Sequence, residues 1–580
     1  MWKRIVKAPE LYLVILICVC IAGIVKSNIY CDNVLLTRNN SASQTSFPIK
    51  NKFEDNEYFT VAFDINSPGK EYSLRIIPDD CAESITINGY DFQTKNIAGR
   101  CDYSKGFVIA ADTLKKLIAG NTTHYEVILK NNGGDGGLEI AILQEEQSGT
   151  LATIALILCT LLAFFLCRRL KIPMGIALIL TIGVALRLHF SYSLPKYDKF
   201  GHDVDGHIAY IQYIAENKAI PHADDCWTCY HPPVYFTAMV PSWNLANMLH
   251  VQASTTIQWT STLISVLILL AGFFALQSIL KGKALVLATT ILTFWPTLIL
   301  SSPRIGNDQL FYLLHLICLW GSLVYVQRRS GMHLFVAALA TLLAYWTKST
   351  AIVSIGIWLL ALAIGYFPRG IKHPRKWEVA AFLTFGILLA GIALRHVLSP
   401  GELIGNAQSL HGKLQVENSL FHFIYFDVKS FIEYPFTSPW LDEQGRQFFW
   451  NYALKTALFG EFTLSRIPIA ETLATIVSCS FLGSIIIAIR GLWNKAINRA
   501  DILLIAQGIA FFAALMFLRF KIPFSCSNDF RYIMPVLLSF IPFLVHGATI
   551  KKASTKWKAA SGICIATFVI SSTMLMWITV

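Results

Sequence analysis

Residues 200–236 read FGHDVDGHIAYIQYIAENKAIPHADDCWTCYHPPVYF, and the chain is organised around them. Asp203, Asp205 and Glu216 stand there with His202, His207, His222 and His231. Long apolar segments run on either side. Ionisable groups are costly next to a bilayer, so a cluster of them beyond an apolar span marks a working site. The fold turns on which of the flanking segments cross a membrane and which side this stretch then faces.

Composition gives the class. The chain has 580 residues, of which 54% are hydrophobic and 14% charged, against about 25% charged in an ordinary soluble domain. Mean hydropathy is +0.52. These values predict a polytopic α-helical membrane protein. The net charge is +12. Its basic residues fall in short clusters between apolar segments, as in cytoplasmic loops, which argues against a nucleic-acid partner. There is no glycine-rich phosphate loop, no heptad repeat and no internal repeat of the transporter kind.

MWKRIVK precedes an apolar run at 9–26 with no small-residue cleavage pattern, so residues 1–26 read as a signal anchor. Residues 27–148 differ. YFTVAFDI, YSLRII, SITING and HYEVIL alternate or are β-branched, with NG, GN and NNGGDGG turn signals between them. They predict a β-sandwich, and DDCAESITINGYDF with GNTTHYEVILKNNGG resembles galactose-binding jelly rolls. Two readings stand for this domain: a carbohydrate or partner-binding module, and a lid or spacer. Asn39 and Asn121 begin glycosylation triplets.

Residues 149–580 read as the membrane domain. Spans are expected near 149–167, 172–190, 255–280, 284–302, 309–327, 333–347, 350–367, 378–398, 471–490, 501–520, 531–549 and 559–579, about thirteen with the anchor. Basic clusters at 168–171, 281–283, 328–329, 369–376, 490–499 and 551–558 all then fall on the cytoplasmic side. That holds only if 232–250 does not span, so it is read as interfacial or re-entrant. The same topology puts loops 191–254 and 399–470 outside, with the turns at 301–308 and 348 and the segment 520–531.

The candidate chemistry lies on that outer side. Asp203 and Asp205 form an Asp-Val-Asp pair that can share a metal, with His207 as a further ligand, or supply a base whose pKa the neighbour tunes. His231, before two prolines, can contact phosphate or metal, or cap the following helix. Arg304 in Pro-Arg-Ile-Gly-Asn307-Asp308 can hold a phosphate or snorkel towards headgroups; Asp308 can orient it. Lys348 sits in a short turn, where snorkelling is awkward. Arg531, in Asp-Phe-Arg-Tyr532, opposes the positive-inside bias and suggests a bound anion. Cys226-Trp-Thr-Cys229 has the spacing of a redox or zinc pair, although with no second pair an oxidising face favours a local disulfide, and Cys81 can pair with Cys101.

In this order the motifs resemble the GT-C glycosyltransferases. They are similar to the bacterial branch of protein O-mannosyltransferases and lipid A aminoarabinose transferases, over about residues 172–549. The resemblance implies a polyprenyl-phosphate-linked sugar donor and a glycan, lipid or protein hydroxyl acceptor. It implies a base at Asp203 with Asp205 as second carboxylate. Donor contacts would fall to Lys348, Arg304 and Arg531, with His207, His231, Asn307, Asp308 and Tyr532 around them. The charge bias places the active site on the outer face and the N-terminus in the cytoplasm, and a bacterial inner membrane is the expected location. No cofactor is required, although a divalent metal has candidate ligands. Two departures stand out: Asp-Val-Asp replaces the commoner Asp-Glu pair, and a β-domain is inserted after an added anchor. A flippase of lipid-linked sugars and a non-enzymatic surface carbohydrate-binding protein are the alternatives.

Overall fold

The computed structural model describes residues 10, 13–19 and 29–578, except 40, 46, 48, 68–70, 93–96, 103–105, 119, 134, 144–148, 194–200, 202, 224, 227, 250, 367–375, 399–413 and 462–467. Most of the expected anchor, His202 and parts of the two outer loops therefore lie outside the described residues. The rest divides into two compact units. The first holds the strands together with Pro241–Thr256, and the second holds Ala163–Ser193, Phe200–Val240 and Ile257–Val580.

The first unit is a two-sheet sandwich. Its strands are β1 (Tyr30–Arg38), β2 (Ser41–Gln44), β3 (Ile49–Lys52), β4 (Tyr58–Asn66), β5 (Ser73–Asp79), β6 (Cys81–Ile87), β7 (Tyr90–Phe92), β8 (Phe107–Ile109), β9 (Thr122–Lys130) and β10 (Asp135–Leu143). One sheet runs β2-β1-β4-β9-β6-β7 and the other β3-β10-β5-β8. The alternating apolar pattern becomes an inner face: Phe59, Val61, Phe63 and Ile65 of β4 are buried beside Tyr125, Val127 and Leu129 of β9. Leu74, Ile76, Leu138 and Ile140 from the second sheet join the same core. Apolar area removed from water at about 25 cal/mol per Å² is what holds such sheets together. Asn88-Gly89, both at positive φ, make the tight hairpin between β6 and β7 that the sequence signals. Cys81 and Cys101 are disulfide-bonded.

The second unit is helical. Across the described residues, nine helices are long and apolar enough to cross a membrane, and three shorter apolar helices lie at Gly282–Thr293, Gly331–Tyr345 and Ser349–Gly365. Each span expected after residue 148 falls on one of these. The chain is thus a polytopic helical membrane protein carrying a sheet domain.

Two places refine that expectation. The span expected at 284–302 is broken. One helix ends at Thr293, and a short one runs Pro296–Leu300. Pro296 removes an amide donor and pushes Trp295 to φ −67°, ψ 119°. The break is put to use, because Trp295 Nε1 and Thr297 Oγ1 donate to the carbonyl of Ala457 at 2.7 and 2.6 Å. Those bonds anchor the Phe449–Phe459 helix that leads into the site. The second place is Val234–Leu249, a helix of 16 residues with Pro241 inside it. It falls short of the roughly 20 residues a span needs.

Helix ends elsewhere follow local rules. Asn498 caps the Arg499–Lys521 helix by accepting from the amides of Ala500 and Asp501, and Asp501 accepts in return from the Asn498 amide at 3.0 Å. Arg187, fully buried in a candidate span, donates to Ser265 Oγ and to the carbonyls of Gly183 and Thr293. It therefore ties three helices together through hydrogen bonds, which a buried guanidinium requires.

Candidate active site

Three turns far apart in sequence meet in the second unit. The first, Pro303–Asp308, links the broken helix to the Asp308–Arg328 helix. Its path needs glycine because Gly306 sits at φ 156°, a conformation side chains rarely adopt, and the His207 ring lies at ordinary contact distance from it. The Gly306 amide donates to the Tyr235 hydroxyl at 2.9 Å. Asp308 opens its helix, where the N-terminal dipole favours a carboxylate. The second turn, Trp346–Ser349, is held by Val234 N donating to the Trp346 carbonyl at 3.0 Å and by Asn307 Nδ2 donating to the Thr347 carbonyl at 3.3 Å. The third, Asn528–Tyr532, starts a 3₁₀ stretch at Phe530–Val536 capped by Asp529, whose carboxylate accepts from the Arg531 amide at 2.9 Å.

Their charged side chains form one buried cluster. Lys348 and Asp308, both at least nine-tenths buried, make a direct ion pair. Arg531 Nε lies 3.2 Å from Asp529 Oδ2, and Arg531 Nη2 donates to the Tyr532 hydroxyl at 3.0 Å. The Tyr532 ring has Lys348 Nζ at 4.8 Å and Arg531 Cζ at 4.9 Å from its centroid. Arg304 is also buried, and Lys348, Arg304 and Arg531 all act on Asp308 electrostatically. Burial pulls the Lys348 ammonium below the ordinary lysine value, and Asp308 opposes that pull.

The stretch that opens the sequence lies against this cluster. Gly201, at φ 155°, brings the chain so close to the first turn that a Cβ would sit 2.9 Å from the Ile305 carbonyl. Asp203 follows in the left-handed region at φ 55° and starts the Val204–Asn217 helix, whose amides its carboxylate does not cap. Asp203 and Asp205 are exposed, whereas His207 is buried. His207 packs against His231, Phe236 and Tyr235, with ring centroids 5.8, 5.5 and 6.4 Å away. Burial, then the His231 ring, hold His207 well below the ordinary histidine value, so it is neutral. Its Nδ1 has no hydrogen-bond partner among the described residues. Tyr230 bridges the two parts. Burial raises its hydroxyl above the usual phenol value, Asp203 adds to this, and Arg531 opposes it.

No family model matches the chain, and no curated protein matches it by sequence. Similar solved structures include the oligosaccharyltransferase of Archaeoglobus fulgidus in the apo form. It has 11% identity and a TM-score of 0.42, over 69% of this chain and 55% of that one. The arabinofuranosyltransferase AftD from Mycobacteria has 14% identity and a TM-score of 0.41, over 70% of this chain and 28% of that one. The Archaeoglobus enzyme in complex with zinc and sulfate gives 12% identity and a TM-score of 0.38, over 69% of this chain and 53% of that one. The chain spans about half the length of the oligosaccharyltransferase it resembles.

Arg304, Asn307, Asp308, Lys348, Arg531 and Tyr532 therefore come together, with His207 and His231 alongside. The metal set read from the sequence is not assembled. Among the described residues no group of three or more His, Cys, Asp or Glu side chains is arranged to hold a metal ion. The physical reason is helical pitch: two residues along a helix turn a side chain by about 200°, so Asp205 faces out while His207 faces in. His231 serves the aromatic cluster; its carbonyl accepts from the Tyr210 hydroxyl at 3.3 Å, and its ring lies 4.2 Å from that of Tyr230. Cys226 and Cys229 are joined as a disulfide.

The sequence reading missed the carboxylates facing Arg531. Asp529 is buried beside it, and Glu461 Oε1 accepts from the Tyr452 hydroxyl at 2.5 Å while adding to the field on Asp529 and Arg531. Asn528 is fully buried, and neither amide atom has a partner among the described residues. Asp529 was legible as the neighbour of an arginine that stands apart from the basic clusters. Glu461 had no such signal, because its partners come from elsewhere in the chain.

Proposed function

We propose that this chain is an integral-membrane glycosyltransferase of the GT-C type, moving a sugar from a polyprenyl-phosphate-linked donor to a hydroxyl acceptor on the outer face. The observation that carries this reading is the convergence of Arg304, Lys348 and Arg531, from three separate turns, with Arg531 and the exposed Asp203 both acting on Tyr230. A leaving lipid phosphate needs cations more than it needs a general acid. Asp308 and Asp529 hold two of those cations in place beforehand, so little reorganisation is left for the reaction itself.

In the proposed step Asp203 takes the proton of the acceptor hydroxyl, with Asp205 as the second carboxylate. The acceptor oxygen then bonds to the anomeric carbon as the bond from that carbon to the phosphate oxygen breaks. The lipid phosphate leaves with the electron pair, against the cationic turns, and the anomeric configuration inverts. His207, neutral and buried, shapes the floor and takes no proton. The long lipid of the donor accounts for a site built at the ends of membrane helices. The basic clusters between spans support an outer location for the site and a cytoplasmic N-terminus.

The test is mass spectrometry of surface glycolipids and glycoproteins from cells with and without the chain, paired with the purified chain in nanodiscs given undecaprenyl-phosphate-linked hexoses and pentoses. The expected result is one sugar missing from the surface and the same sugar transferred in vitro. Movement of a labelled lipid-linked sugar across the bilayer with no covalent product would instead support a flippase.

A further inference from the structure

The first unit has a cleft of about 580 Å³, and all of its walls belong to that unit. It runs between the start of β1, the end of β2, β10 and the segment 243–255. Its size falls within the range of small-ligand sites, about 300–1,000 Å³. Its lining includes Asp32, Asn33, Gln44, Asn247 and Gln252, with the half-buried ring of Phe47. Among the described residues that line it there is no lysine, arginine or histidine. The active-site cluster, by contrast, is built around three cations.

The polar edge of the cleft is held rigidly. β1 shifts register between Asp32 and Leu35, and Asn33 there adopts φ 51°, an irregularity of the kind that re-aims side chains at sheet edges. Asn33 Nδ2 donates to Asp64 Oδ2 at 2.7 Å, and Asp64 Oδ1 is 2.7 Å from His124 Nδ1. Asn66 Nδ2 donates to Asp32 Oδ2 at 3.0 Å, and Asn66 in turn accepts from Thr122 Oγ1 at 2.6 Å. Phe47 is fixed edge-on against Phe63, with centroids 5.2 Å apart. Gln252 Nε2 donates to the Ile140 carbonyl at 3.2 Å, which closes the opposite wall. Burial, with Asp32 and Asp64, pushes the Cys31 thiol upward, so it lines the cleft as an uncharged group.

We infer that this cleft binds a neutral glycan. Side-chain amides and one carboxylate match the many donors and acceptors of sugar hydroxyls, and a fixed aromatic ring offers a face to the C–H side of a pyranose or furanose. Among the described lining residues an anionic lipid headgroup or phosphate would meet the Asp32 carboxylate and no cation, and a desolvated anion so placed is strongly disfavoured. The inference deepens the transferase reading, on which it rests for its purpose, by naming the acceptor class.

The test uses the full chain in nanodiscs and saturation-transfer NMR. The probes are neutral oligosaccharides of glucose, galactose, mannose and arabinose, with inorganic phosphate as the contrast. At least one neutral oligosaccharide is expected to bind. Asn247→Trp, which narrows the cleft from an exposed helix position, should weaken binding by about tenfold or more, and Asp32→Asn by about tenfold, the worth of one charge-assisted hydrogen bond. The inference is overturned if no neutral sugar binds, if Asn247→Trp binds as the parent does, or if phosphate takes the place of the sugars. Loss of glycan binding with transfer to a small alcohol intact would remove this inference alone. Glycan binding without any transfer would remove the transferase reading alone.

Discussion

Asp203→Asn is expected to lower sugar transfer by about 10²–10⁴-fold, the usual worth of a positioned general base. The side chain is exposed and does not cap its helix, so folding should not depend on it. Asp203 sits at positive φ, a region asparagine also tolerates, so the backbone of the substituted chain need not move. Unchanged thermal unfolding together with lost turnover is the predicted pair of results. Asp205→Asn should have the smaller effect. If both variants turn over like the parent, the base lies elsewhere.

The second large effect concerns the ion pair between Asp308 and Lys348. Both are buried, and Arg304 and Arg531 act on the same carboxylate. Asp308→Ala strips that carboxylate from three cations, and breaking a buried pair from one side costs about 3–5 kcal/mol. Loss of stability in a denaturant or thermal scan should be plain. Asp308→Asn with Lys348→Met removes both charges and should recover much of that stability, because the desolvation of each ion disappears with it. Transfer should not recover, and a deficit of about 10²–10³-fold is expected from loss of a preorganised charge in a closed site. If the double variant regains both stability and turnover, the pair is only a structural lock.

The residues explain why some of this was readable in advance. Spans were visible because a bilayer demands continuous apolar runs, and the β-domain because its alternation became the buried faces of β4 and β9. Arg304, Lys348 and Arg531 stood out because each is a cation apart from the basic clusters that mark the expected cytoplasmic loops. The break at Trp295-Pro296 was written in one proline, yet apolar residues on both sides hid it. Among the described residues Asp203, Asp205 and His207 form no metal-ligand group, because closeness along a helix is not closeness in space. Glu461 was illegible, since it acts on Asp529 and Arg531, which a distant turn brings to it.

The central claim is that the three cationic turns form a lipid-phosphate site, and binding of undecaprenyl phosphate to the chain in nanodiscs tests it most directly. Saturable binding is expected, left unchanged by Asp203→Asn and weakened by about tenfold or more by either Arg304→Ala or Arg531→Ala, the worth of a charge-assisted hydrogen bond. Equal binding by the parent and both arginine variants, with the variants shown to be folded, would contradict it.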